Sequence, residues 1–205
     1  MLGRVNVRAC IARRLAALIA VALAAIIVCG CAARKRFEVV QMAPTTPVAS
    51  DSVLVLLPPI VGNITVNGED EQLFASHFTA AEWTHWVDLL GTARDGFVEG
   101  VRATKDPLHF APGDGPHVQF AFEAIQLARL DQRSSPKTMV TGILRVQTPR
   151  GDVLEAVRLR AFIEPESEVV APGEIEATRS RRFMQAGIEL GRKATEYLKS
   201  RAGVL

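Results

Sequence analysis

The side chains best suited to nucleophilic chemistry in this chain of 205 residues are three cysteines, and all of them (Cys10, Cys29 and Cys31) lie in its first 31 positions. A thiol attacks as its thiolate, so a cysteine placed near a cleavage or acyl-transfer machinery can take up a substituent. Other constellations are sparse. Of the four histidines, His77, His85, His109 and His117, only the first two could share a helix, about two turns apart. No Cys or His grouping has metal-ligand spacing. There is no G-x-S-x-G elbow for a serine nucleophile. Asp88 and Asp95 are too loosely spaced to argue for an acid–base pair. Gly113-Asp114-Gly115 does not precede a helix, so it does not read as a phosphate loop. Asp114 with Glu69, Asp70 and Glu71 lacks EF-hand spacing and reads as ordinary acidic loop. Arg150-Gly151-Asp152 reads as a turn rather than an adhesion ligand. The expectation is a protein without catalytic centre, metal site or cofactor.

The elements around Cys31 give it a purpose. Arg4, Arg8, Arg13 and Arg14 form a basic stretch without an acidic residue. Leu15 to Val28 is uncharged and apolar, and the two together have the build of a secretion signal. Val28-Cys29-Gly30-Cys31 then resembles the lipobox of bacterial lipoproteins, with a branched apolar residue three before the cysteine and a small one directly before it. Cys29 departs from the usual Ala or Ser. The resemblance implies cleavage before Cys31, lipid on its thiol, and, with Ala32 next, sorting to the periplasmic face of the outer membrane. Several acyl chains, at roughly 0.8 kcal/mol per buried methylene, would hold the chain firmly on a bilayer. The competing reading is an uncleaved anchor over Leu15 to Ala33, close to the spanning length of about 20 residues; this one would stay in the inner membrane.

Charge and composition narrow the partners. The whole sequence carries a formal net charge of +2, but the four arginines of the signal supply that excess. Without them acidic side chains outnumber basic ones by two, which argues against a nucleic-acid partner. Asn63-Ile64-Thr65 matches a glycosylation sequon but is discounted for a bacterial chain. The absence of cysteine after Cys31 leaves packing, not disulfides, to stabilise the body. The boundaries expected are a signal over 1–30, a lipidated N-terminus and flexible linker over 31–51, and one periplasmic domain over 52–205.

Within that domain Val53 to Leu57, closed by Pro58-Pro59, reads as a strand buried on both faces. Asn67-Gly68 signals a turn, and a short helix through Phe74 is expected. Thr79 with Glu82 forms a capping box for a helix reaching about Ala103. Its apolar stripe runs through Trp83, Trp86, Val87, Leu90, Ala93, Phe97, Val98 and Val101. Gly91, Gly96 and Gly100 interrupt it and suggest close packing on a sheet. Val118, Phe120 and Phe122 alternate as a strand, with a bulge expected near Ala124. Thr138–Thr148 and Val153–Ile163 read as a hairpin across Pro149 to Asp152. A last helix, from about Glu174 to Arg201, buries Phe183, Gly187, Leu190, Ala194 and Leu198 under a charged face that includes Arg179, Arg181 and Arg182.

The expected fold is α+β in two layers. A mostly antiparallel sheet of about four strands carries two long helices on one face, in the order β-α-β-β-β-α. The VLVLLPP strand, the long helix, the three-strand run and the closing helix resemble small envelope lipoproteins. Their domain is similar to the TolB N-terminal domain, to lipoprotein activators of cell-wall synthases and to auxiliary lipoproteins of ABC transporters. That resemblance implies a non-enzymatic accessory that binds proteins or helps to build an envelope complex. A carrier of lipid or a cell-wall fragment, using the free sheet face or a pocket beneath Phe120 and Phe122, is the other reading. A homo-oligomer stays open, with no residue pattern in its favour. Trp83 and Trp86, on the helix stripe, are expected in the core; exposed, they would be an interface anchor.

Overall fold

The computed structural model of the chain describes residues 37–42, 53–104, 108–127, 138–163 and 174–201. The signal, the linker beyond residue 42 and the lipobox residues Val28, Cys29, Gly30 and Cys31 lie outside them. The chain divides into Met1–Glu38 and Val39–Leu205, and the second unit is α+β. Among the described residues no helix is long and apolar enough to cross a membrane.

The sheet is mixed and has six strands, more than the four expected. They are β1 (Glu38–Met42), β2 (Val55–Leu56), β3 (Thr65–Val66), β4 (His117–Gln126), β5 (Thr138–Gln147) and β6 (Val153–Ile163). Their order is β1-β6-β5-β4-β2, with β3 also on β4. β4, β5 and β6 pair antiparallel; β2 and β3 run parallel to β4. β1 lies within the stretch expected to be linker. The VLVLLPP segment is not one long strand. Leu57 and Ile60 donate to Val118 and Phe120 at 2.9 and 2.8 Å, but Pro58 and Pro59 between them have no N–H to give. Within the run from Val53 to Leu57 only Leu54 is buried.

Local chemistry sets the connections. Asn67 and Gly68 both adopt positive φ, 52° and 89°, in a two-residue turn closed by paired Val66–Glu69 hydrogen bonds. A bulge falls between Phe122 and Ala124, where the ladder to β5 shifts. Gly151, at φ 94°, turns β5 into β6.

Three helices are described: α1 (Glu71–Ala75), α2 (Ala80–Arg102) and α3 (Ile175–Arg201). Asp70 caps α1 by accepting from Leu73 N–H at 2.8 Å. Thr79 and Glu82 make the capping box of α2, and the bonds that Glu82 accepts from Thr79 hold its carboxyl below the usual range. Both long helices lie on the sheet face that carries Phe120, Leu144 and Val157. The Phe120 ring stacks on Phe97 of α2 with centroids 4.4 Å apart. It has room because residue 142, diagonal to it on β5, is glycine: a Cβ there would sit 2.2 Å from the ring.

Gly96 and Gly100 of α2 face the other helix, not the sheet. A Cβ on Gly96 would lie 2.4 Å from the carbonyl oxygen of Met184, and one on Gly100 would lie 2.2 Å from that of Ile188. Gly187 and Gly191 of α3 meet the carbonyls of Ala93 and Phe97 at 2.1 and 2.3 Å in the same way. Partner numbers rise together, so the helices run parallel, backbone on backbone, through two interlocked Gly-x-x-x-Gly pairs. Leu89 is in the core, whereas Val87, expected there, is exposed. Arg182, expected on the charged face, is buried with 5% exposure, and its Nε has no hydrogen-bond partner.

Candidate functional site

The tryptophans part company. Trp86 is buried, packed edge to face between Phe74 at 5.0 Å and Phe183 at 5.6 Å, so it belongs to an aromatic chain that fastens α1 and α3 to α2. Trp83, three residues earlier on the helix, is turned outward and half-buried. It lines a groove of about 470 Å³ with Asn63, Ile64, Thr65, Asp70, Glu71, Gln72 and Ala75. The groove has a built wall, because Asn63, at φ 55°, donates its backbone N–H to Glu71 Oε2 at 2.6 Å. One turn on from Trp83, Val87 is exposed, and so is Leu73 of α1. The candidate interface therefore keeps Trp83 and loses Trp86. The helix period alone could not divide them, since both fall within the width of one amphipathic face.

No group of three or more His, Cys, Asp or Glu side chains comes together for a metal among the described residues. His77 lies 3.2 Å from Glu69 at the surface, and His85 lies 3.8 Å from Glu176 of α3. His109 is exposed.

Two polar clusters tie the scaffold together. On the sheet face away from the helices, Arg158 of β6 grips Glu123 of β4 through Nε at 2.7 Å and a second nitrogen at 2.9 Å. This two-point ion pair spans β5. On the helix face, Glu155 is a buried carboxylate. It accepts a hydrogen bond from the Tyr197 hydroxyl and a charge-assisted one from Arg201 Nε at 3.2 Å, and its other oxygen pairs with the same nitrogen at 3.0 Å. Burial, followed by the bond to Glu155, pushes the Tyr197 hydroxyl well above its ordinary pKa. The arrangement clamps the end of α3 to the start of β6. Phe120 and Phe122, beneath which a ligand pocket was one expectation, are packed core side chains with their rings 5.0 Å apart.

No protein-family model matches the chain, and no curated protein matches it. Two solved structures of the PelC dodecamer from Paraburkholderia phytofirmans are similar in part, one of them a variant with a single leucine-to-methionine substitution. Each is 11% identical over 75% of this chain and 97% of that one, with TM-scores of 0.31 and, for the variant, 0.29.

Proposed function

We propose that this protein is a lipid-anchored periplasmic lipoprotein that acts, without catalysis, as a protein-binding or assembly component of an envelope complex. The observation that carries the anchor is the Val28-Cys29-Gly30-Cys31 sequence at the end of an apolar signal, with no cysteine after it. The thiol of Cys31 is the attachment point, and the periplasmic face of the outer membrane is the location that Ala32 favours. The protein-binding part is supported by the half-buried Trp83, with Val87 exposed one turn on. An indole on a scaffold capped by Thr79 and pinned by Trp86 is a rigid anchor of the kind that dominates interface energetics.

Metabolic labelling with a palmitate analogue tests the anchor: wild type incorporates label and Cys31→Ser does not. Label retained by Cys31→Ser would reject Cys31. A photo-crosslinking residue at position 83 tests the surface, with a specific protein adduct in membranes expected and an adduct pattern identical to that from position 95 refuting it. The second reading, a carrier for a small ligand, is favoured only by the groove beside Trp83. It predicts lipid or a cell-wall fragment that co-purifies and is lost on Trp83→Ala.

A further inference from the structure

The groove beside Trp83 has a more specific chemistry than an apolar surface. Two carboxylates, Asp70 and Glu71, share its walls with the indole, and none of the side chains that line it is basic. Each carboxylate is held from one side by the backbone. Asp70 uses Oδ1 to accept from Leu73 N–H at 2.8 Å, and Glu71 uses Oε2 to accept from Asn63 N–H at 2.6 Å. Neither forms an ion pair, so Asp70 Oδ2 and Glu71 Oε1 are left to solvent. His77, which follows α1, lies 3.2 Å from Glu69 and so neutralises neither of them. Ile64, 1% exposed, supplies an apolar wall. The groove thus joins a half-buried indole, an apolar wall and two fixed negative charges that nothing in the described structure balances.

We infer that this groove takes an arginine side chain of a protein partner: its guanidinium stacks on the Trp83 indole and donates to the free oxygens of Asp70 and Glu71. This names the partner's chemistry at the surface assigned above to protein binding, and it rests on that reading. Charge complementarity selects the occupant. The face of an indole attracts a cation, most strongly where water is excluded. Two unneutralised carboxylates beside it pull in the same direction. A guanidinium suits both at once, because its planar fork stacks on an aromatic ring and reaches two acceptors together, whereas an ammonium is compact and strongly hydrated. An apolar chain would cover the two charges without pairing them, which costs free energy. A calcium ion takes about six to eight oxygens, more than these two side chains supply.

Nitrogen-15 NMR of the full chain in a neutral detergent follows the Trp83 indole N–H, identified by its loss in Trp83→Phe. The probes are the acetyl amides of arginine, lysine and citrulline, the last an uncharged copy of arginine. The arginine probe is expected to shift the signal saturably and to bind about tenfold tighter than citrulline, with lysine between them. The double variant Asp70→Asn with Glu71→Gln keeps both wall contacts, since each amide retains an oxygen to accept from Leu73 and Asn63. It should erase the preference for arginine. Lysine or citrulline binding as tightly as arginine, or a preference that survives the double variant, overturns the inference. A photo-crosslinking residue at position 72, where Gln72 is exposed on the groove, reads the same variant in membranes. A protein adduct is expected whose yield falls severalfold in the double variant. Undiminished yield overturns the arginine site and leaves the protein-binding surface standing. No protein adduct from position 72 or from position 83 overturns both.

Discussion

Gly91 and Gly100 lie on the same helix and differ only in what their missing methyl groups would meet, so the same substitution at each should act with opposite sign. At position 91 a Cβ has no neighbour within 4 Å. Gly91→Ala then gains helix propensity alone, about 1 kcal/mol of added stability. At position 100 the Cβ would stand 2.2 Å from the Ile188 carbonyl oxygen and 2.9 Å from two further backbone atoms. Ordinary contact begins near 3.4 Å, so the shortfall at the oxygen is a little over 1 Å. The obstacle is the axis of α3 itself and cannot rotate away. A gap of that size forfeits up to about half the dispersion well of the contacts it opens. Overpacking of this kind costs about 1–3 kcal/mol, and the rigid obstacle argues for the upper part of that range. Net of the propensity gain, Gly100→Ala should destabilise by about 2 kcal/mol. Urea unfolding of the Cys31→Ser chain, followed by far-ultraviolet circular dichroism, measures both. A Gly100→Ala protein as stable as Gly91→Ala would refute the backbone-on-backbone packing of α2 and α3.

Tyr197 is the only tyrosine, so tyrosinate absorbance reports it without interference. Its raised pKa favours the neutral form in the folded protein, so the stability it contributes is complete below pH 10 and is lost as pH rises toward the folded value. The titration midpoint of the native protein should therefore lie well above 10 and fall to about 10 in urea; equal midpoints would contradict the burial of the Glu155 clamp. Thr79→Ala removes the cap of α2 and should cost about 1 kcal/mol in the same urea assay. Glu82 has a lowered folded pKa, so its contribution is present above the unfolded value of 4.5 and fades as pH falls through the folded one; the gap between wild type and Glu82→Gln should close in acid. Phe120→Ala empties the space between β4 and α2 and should cost about 3–5 kcal/mol, whereas a loss below about 1 kcal/mol would show that the site is not a packed core.

The parts of the fold legible in the sequence are those written in local chemistry. Thr79 and Glu82 announce α2 because a capping box needs only four consecutive residues. Asn67-Gly68 announces its turn because few other pairs tolerate two positive φ angles. The β5–β6 hairpin and the stripe of α3 repeat their pattern often enough to establish a period. Pairings of two residues, such as β2 and β3 on β4, have no period at all. β1 is five residues in proline-bearing surroundings, and its exposed Val39 and Val40 give no alternation. The outward turn of Trp83 and Val87 and the burial of Leu89 and Arg182 depend on how far α2 and α3 are rotated about their axes. That rotation follows from the glycines locking the two helices together, a fact of tertiary packing. The anchor proposed at Cys31 rests on sequence alone, because a processing signal would act on the extended chain.

β1 also bears on how the chain stays soluble while it folds. β6 has eleven residues, and its outer side would offer a long row of unpaired N–H and C=O groups to any passing strand. The strand that covers it comes from more than a hundred residues earlier and, by loop-closure entropy, is among the last to find its place. Until β1 closes, that row is a template for aggregation. Afterwards the sheet ends in five residues instead of eleven, a shorter template for a second chain. The first strand of the described sheet is thus an intramolecular guard against edge-to-edge pairing.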